Sequence, residues 1–207
     1  KSYAYLFACM LYMRDHKSQI VISTNTHNLQ NQLFNKDIPF VADILKYDCK
    51  ITIIKGISNY ICLKRLEDII NNIENKLNAL EAMEIMSLFV WLEDTLTGDI
   101  SECNGFNMRR YYYLWSMINA KSEYCLTSRC NKYYGCYYKS IRESALNSDI
   151  LIVNHSMLIS YYDNYDSFIR DNSICVIDEK KNLFLPCWFT KKDVVSRGDN
   201  GDGGISF

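Results

Sequence analysis

Three cysteines, Cys125, Cys130 and Cys136, stand at gaps of four and five residues in the segment CLTSRCNKYYGC, among tyrosines and basic side chains. Thiolates this close together would fill three corners of a tetrahedral zinc site or of an iron-sulfur cluster, and a fourth soft ligand would complete either. Cys62 and Cys103 are the candidates for that fourth place. The spacing is not the C-x2-C knuckle usual for structural zinc. The alternative is a set of unligated thiols in a polar segment.

A second constellation is VIDE, Val176 to Glu179. An apolar strand ending in Asp-Glu can hold magnesium through Asp178, with Glu179 beside it to orient or deprotonate an attacking water. Acidic residues also end strands simply because they meet water. Lys1 and Ser2, which open a helix, are the residue types that close a phosphate-binding glycine loop, where Lys meets phosphate and the hydroxyl holds magnesium. The segment STNTHNLQNQL, from Ser23 to Leu33, places hydroxyl and amide side chains at the end of a strand. Such groups reach backbone phosphates without reading sequence, or cap the helix that follows. His27 and His155 have no ligand-like partner at short spacing and are not read as metal ligands.

These residues need a scaffold, and the pattern predicts an α/β one. Tyr5, Leu6, Cys9, Met10 and Met13 recur at helical spacing, and QIVIST, Gln19 to Thr24, is a short apolar run. A helix from near His27 carries Leu29 and Leu33 and is expected to end at Pro39, before the strand-like KITIIKG, Lys50 to Gly56. From about Cys62 to Leu146 the character changes to helical spacing without strand runs, followed by the tyrosine- and cysteine-rich stretch. SDILIVNHSML, Ser148 to Leu158, and SICVIDE, Ser173 to Glu179, then restore apolar strands. The simplest architecture is a parallel sheet covered by helices and interrupted by a mainly helical, cysteine-bearing insertion. Arg197 to Phe207 reads as a flexible tail.

Composition sets the limits. The 207 residues are 48% hydrophobic and 23% charged, the balance of a globular protein with a substantial core. The formal net charge of -1 excludes a global basic excess, so any nucleic-acid contact must be local. The apolar run near the start is broken by Arg14 and Asp15 and has no signal-peptide layout, so the expectation is a cytoplasmic protein with no membrane partner. There, nine cysteines read as core thiols, metal ligands or catalytic thiols rather than disulfides.

In order along the chain, KS, VISTNTHNLQNQLFNKDIPF, KGISNYICLKRL, WLEDTLTGDISE, the C-x4-C-x5-C cluster, SDILIVNHSMLI and VIDE resemble the iron-sulfur superfamily 2 helicases of the DinG/XPD type, nearest the bacterial DinG branch. The resemblance covers Lys1 to about Leu183. It implies a RecA-like P-loop NTPase sheet, as part of the first helicase domain, over residues 1–56 and 147–183, with an iron-sulfur insertion over 57–146 and residues 184–207 unassigned. It implies that Cys62, Cys125, Cys130 and Cys136 hold a [4Fe-4S] cluster and that Cys103 stays unligated. Lys1 and Ser2 would end the Walker A motif and bind ATP phosphate and magnesium, while Asp178 would hold magnesium and Glu179 would serve the attacking water. Thr24 and Thr26, with Gln30 nearby, would contact DNA. The implied activity is ATP-dependent 5′ to 3′ unwinding, with single-stranded and fork or duplex DNA as partners. Lys55, Arg109, Arg110, Arg129, Lys132 and Lys139 would supply local charge, and the tyrosines would stack on bases.

The chain departs from the family at Lys180 and Lys181, where a small residue and then His usually follow Asp-Glu. The glycine-rich part of Walker A, the second RecA-like domain and its arginine finger are not among the 207 residues, so the expectation is a fragment incompetent alone. The competing reading is a metal-stabilised module that binds single-stranded nucleic acid without ATPase activity.

Overall fold

A computed structural model describes residues 2–72, 77–125, 130, 135–164, 168–178 and 194–196. The chain divides into two compact units, one of Lys1–Lys55 with Arg142–Phe207 and the other of Gly56–Ile141.

The first unit is built on a parallel sheet of β1 (Gln19–Thr24), β2 (Ile51–Ile53), β3 (Ile150–Asn154), β4 (Ser173–Ile177) and β5 (Val194–Ser196), in the order β2-β3-β1-β4-β5. Every pairing is parallel. All six residues of β1 are buried, because β3 and β4 flank it on either side. That explains why QIVIST is a continuous run rather than an alternating one. Helix α1 (Ser2–His16) precedes β1 and buries Leu6, Cys9, Met10 and Met13 against Ile20, Ile22, Ile150, Ile152 and Val176. Each such side chain contributes roughly 1.5–3 kcal/mol by leaving water.

Pro39 does not stop the helical segment where the sequence suggested. Helix α2 (His27–Gln32) passes through a π-helical turn, Leu33–Asp37, into α3 (Ile38–Leu45). Pro39 lies in the first turn of α3, where a missing N–H costs least. Three residues of the stretch left unassigned, Val194–Ser196, form the edge strand β5 beside β4.

The second unit contains α4 (Leu63–Ile70), α5 (Ala79–Asp94), α6 (Tyr112–Ile118) and the short α7 (Ser122–Cys125). Asn78 and Glu81 form a reciprocal capping box that starts α5. The core joins Leu66, Ile85, Leu88, Leu114, Trp115 and Ile118, and the Trp115 indole donates to the Ser58 carbonyl at 2.8 Å. Helix α8 (Tyr137–Asn147) carries the chain back to the sheet unit, and α9 (His155–Asn164) follows β3. Among the described residues no helix is long and apolar enough to cross a membrane.

Gln19 fastens the amino end of β1. Its Nε2 donates to the Ala145 carbonyl at 2.7 Å and the Ser148 carbonyl at 3.1 Å, while its Oε1 accepts from Arg170 N at 2.9 Å. The side chain is fully buried, so Gln19→Met would strand several buried polar groups at once. We expect a loss of about 2–4 kcal/mol, read as a lower urea midpoint with unchanged slope. A midpoint equal to that of the unaltered chain would show that Gln19 does not hold the strand end.

Candidate functional site

The carboxyl ends of the strands gather one set of predicted residues. A two-residue connection, Lys17 and Ser18, turns α1 into β1, so the helix runs against the strands and opens over their carboxyl ends. Asp178 follows β4 directly and is tied to β1 through Asp178 N donating to the Ser23 carbonyl at 2.9 Å. The Tyr5 hydroxyl, on the second turn of α1, donates to Asp178 Oδ2 at 3.2 Å. Ser2 lies three residues earlier, on the same helical face as Tyr5. Burial first, then the charge and hydrogen bond of Asp178 and the charges of Asp37 and Cys9, push the Tyr5 phenol well above its ordinary range. The phenol therefore stays a protonated donor. Lys1 and Glu179 lie outside the described residues.

Thr24 and Gln30 are fully buried, and the Gln30 Oε1 pairs with His27 Nδ1 at 3.1 Å. Neither side chain has a path to a phosphate in this conformation. Thr26 is exposed and its Oγ1 accepts from Leu29 N at 3.3 Å, capping α2. Of the trio expected at DNA, only Thr26 meets solvent. Lys55, expected as surface charge, is buried. His155 also has a role the sequence did not reveal, since its Nδ1 is 2.7 Å from Ser23 Oγ in the buried sheet edge.

The second unit brings the thiols together. Cys62 stands at the N-cap position of α4 without a side-chain capping bond, Cys125 ends α7 and Cys136 immediately precedes α8. Cys62, Cys125 and Cys136 pack on Tyr60, Ala120 and Tyr138. Gly135, at φ +85, takes the left-handed turn that leads into Cys136. Burial first, then the sulfurs of Cys136 and Cys62, push the Cys130 thiol above its ordinary range. Burial first, then the sulfurs of Cys130, Cys62 and Cys136, push the Cys125 thiol up to about 11. Cys103 is elsewhere, buried in the apolar core with Phe106 and Trp115.

Among the described residues no group of three or more His, Cys, Asp or Glu side chains is arranged to hold a metal ion. Among the described residues, none of the eight cysteines is in a disulfide. Tyr111 leans on Phe106 and on Arg110, whereas Tyr112 and Tyr113 are 69% and 71% exposed. Exposed Arg109 and Arg110 precede them. Arg129 and Lys132 lie outside the described residues.

No protein-family model matches the chain. The chain is 30% identical over 188 residues to ATP-dependent DNA helicase YoaA of Haemophilus influenzae, a match that takes in 88% of the chain and 28% of that relative. It is 34% identical over 184 residues to 3'-5' exonuclease DinG of Staphylococcus saprophyticus, with 88% and 19% covered. With 3'-5' exonuclease DinG of Bacillus subtilis it shares 29% over 179 residues, with 86% and 19% covered. The chain thus spans less than a third of the length of these relatives.

One arginine supports the thiol pocket. Arg65 donates to the carbonyls of Asn119 at 2.8 Å and Ser116 at 3.0 Å, at the end of α6, and its guanidinium lies 5.2 Å from the centre of the Tyr124 ring beside Cys125. Arg65→Lys keeps the charge but loses the two-pronged donor, at a cost of about 1–2 kcal/mol. Loosening the pocket relieves the burial that raises the Cys125 thiol, so more thiolate is present at neutral pH. Metal-free Arg65→Lys should therefore be alkylated at Cys125 severalfold faster, as measured by peptide mass analysis after iodoacetamide treatment. An unchanged rate would separate Arg65 from the pocket.

Proposed function

We propose that this relative of the YoaA and DinG proteins is part of an ATP-dependent DNA helicase. In that reading it contributes the nucleotide-facing portion of a RecA-like motor and a thiol-rich unit that carries a [4Fe-4S] cluster. The observation that carries the reading is the meeting of two segments far apart in sequence: the helix opening on Ser2 touches Asp178 through Tyr5. A motor needs its phosphate-binding hydroxyl and its magnesium-holding aspartate at one sheet edge, whereas a nucleic-acid module without nucleotide chemistry has no such requirement. The reversal of strand order at β1, with β3 on one side and β4 on the other, is also where open α/β sheets place ligands.

Lys1 and Ser2 would meet the phosphates and magnesium, Asp178 would hold the magnesium, and Glu179 would orient the water and take its proton. Bound magnesium and ATP supply the transferable phosphoryl group and the charge that the residues must balance. Cys62, Cys125, Cys130 and Cys136 suit an iron-sulfur cluster because they are four soft donors already coupled to one another. DNA would be met as a single strand ahead of a fork or duplex, through Thr26 at the sheet edge and through Tyr112, Tyr113, Arg109 and Arg110 in the second unit.

Iron and acid-labile sulfide per chain after anaerobic purification test the cluster. Roughly four irons are expected, lost in Cys62→Ser and Cys125→Ser and retained in Cys103→Ser. Zinc, or no metal, would remove the cluster and leave the nucleic-acid module ahead. A paired Tyr112→Ala and Tyr113→Ala change should weaken oligothymidylate binding by about 1–3 kcal/mol per lost base stack, read by fluorescence anisotropy. Equal affinity would take the tyrosines out of the contact.

A further inference from the structure

The Tyr5 hydroxyl has a place in this site that neither the sequence motifs nor the relatives' names assign. We infer that Tyr5 is a positioning residue for the magnesium-holding carboxylate, fixing the rotation of Asp178 so that its second oxygen faces the cation. The inference rests on the helicase reading of Ser2 and Asp178 given above.

A carboxylate that ligates a metal through one oxygen works best when the other is held by a hydrogen bond. Asp178 has its main chain pinned to β1, with N donating to the Ser23 carbonyl at 2.9 Å. Tyr5 supplies a restraint at Oδ2, across 3.2 Å. The donor comes from a rigid element, because Leu6, Cys9, Met10 and Met13 bury the same helix in the core. Tyr5 also stands one turn from Ser2, so a single hydrogen bond sets the first turns of α1 against Asp178. The two groups proposed to face magnesium are thereby held at a common spacing before any ligand arrives.

The test measures binding of a fluorescent ADP to the full chain, with magnesium and with EDTA, for the unaltered chain and for Tyr5→Phe and Asp178→Asn. The phenyl ring keeps the packing of Tyr5, and a thermal melt checks that the variant is folded. Asp178→Asn should abolish the gain in affinity that magnesium confers. Tyr5→Phe should reduce that gain roughly tenfold, the scale of one lost hydrogen bond to a charged group, and leave the affinity in EDTA unchanged. If Tyr5→Phe keeps the full gain while Asp178→Asn loses it, the positioning role fails and the nucleotide site stands. If Tyr5→Phe lowers both affinities alike, the contact is merely structural. If the unaltered chain shows no magnesium-dependent gain, or Asp178→Asn leaves it intact, the nucleotide reading fails and the role of Tyr5 with it.

Discussion

The parallel ladder on both sides of β1 is the constraint from which the sheet unit follows. Because β3 and β4 pair with β1 in the same direction, the carboxyl ends of all three strands lie on one edge. Ser23, Thr24, Asn154 and Asp178 are brought there by register alone, although the last two come from segments far along the chain from the first two. Parallel pairing also demands crossovers, and the crossovers are helices whose apolar faces cover the sheet. The long excursion through Gly56–Ile141 leaves after β2 and returns at β3, which lies between β2 and β1. The sheet therefore closes over a strand that follows β2 and β1 only after the whole of that excursion.

In the second unit the physical problem is different. Its apolar core, around Trp115, Leu88 and Ile85, contains one cysteine, Cys103, and none of the four grouped thiols. Three of those, Cys62, Cys125 and Cys136, pack on a separate cluster of Tyr60, Ala120 and Tyr138. A core that closes without the thiols leaves them free for a ligand, since no fold-stabilising contact of the larger cluster is spent on them. Crowding in one half-buried pocket raises the cost of the Cys125 and Cys130 thiolates, through burial first and then through neighbouring sulfurs. A cationic centre would reverse that balance by attracting every sulfur at once.

Much of the scaffold was legible because periodicity reports burial directly. The strand Gln19–Thr24 and the buried face of α1 were readable as an unbroken apolar run and as helical spacing. Pro39 misled because its meaning depends on whether a helix ends or begins at it, which local pattern does not decide. The thiols were legible as a group because their spacing is unusual, yet the contrast between Cys62 and Cys103 came from resemblance, not from spacing. Burial of Thr24, Gln30 and Lys55 was invisible, since polar residues at a strand end read as solvent-facing until the covering elements are known. Tyr5 was read as one more apolar position on α1. Its only sequence signal was the three-residue step from Ser2, which places both on one face.

Two buried amides, Gln19 at the amino end of β1 and Gln30 beyond its carboxyl end, differ in how fully their hydrogen bonds are met. Both are buried, with Ile20, Val21 and Ile22 between them. At the amino end, Gln19 uses its amide nitrogen and its oxygen on partners from the Ala145 to Ser148 turn and from Arg170. A buried amide so fully satisfied has no capacity left and serves to lock register. Beyond the carboxyl end, Gln30 is equally buried, but its oxygen meets only His27 and its Nε2 has no partner among the described residues. An unsatisfied buried donor costs about 1–3 kcal/mol, a cost that folding alone gives no reason to retain. It occurs on the helix that leaves the sheet's carboxyl edge, the same edge that holds Asp178, the Tyr5 hydroxyl and the exposed Thr26. The amide of Gln19 is satisfied at both its nitrogen and its oxygen whereas that of Gln30 keeps an unpaired donor, the contrast expected if the carboxyl edge binds something.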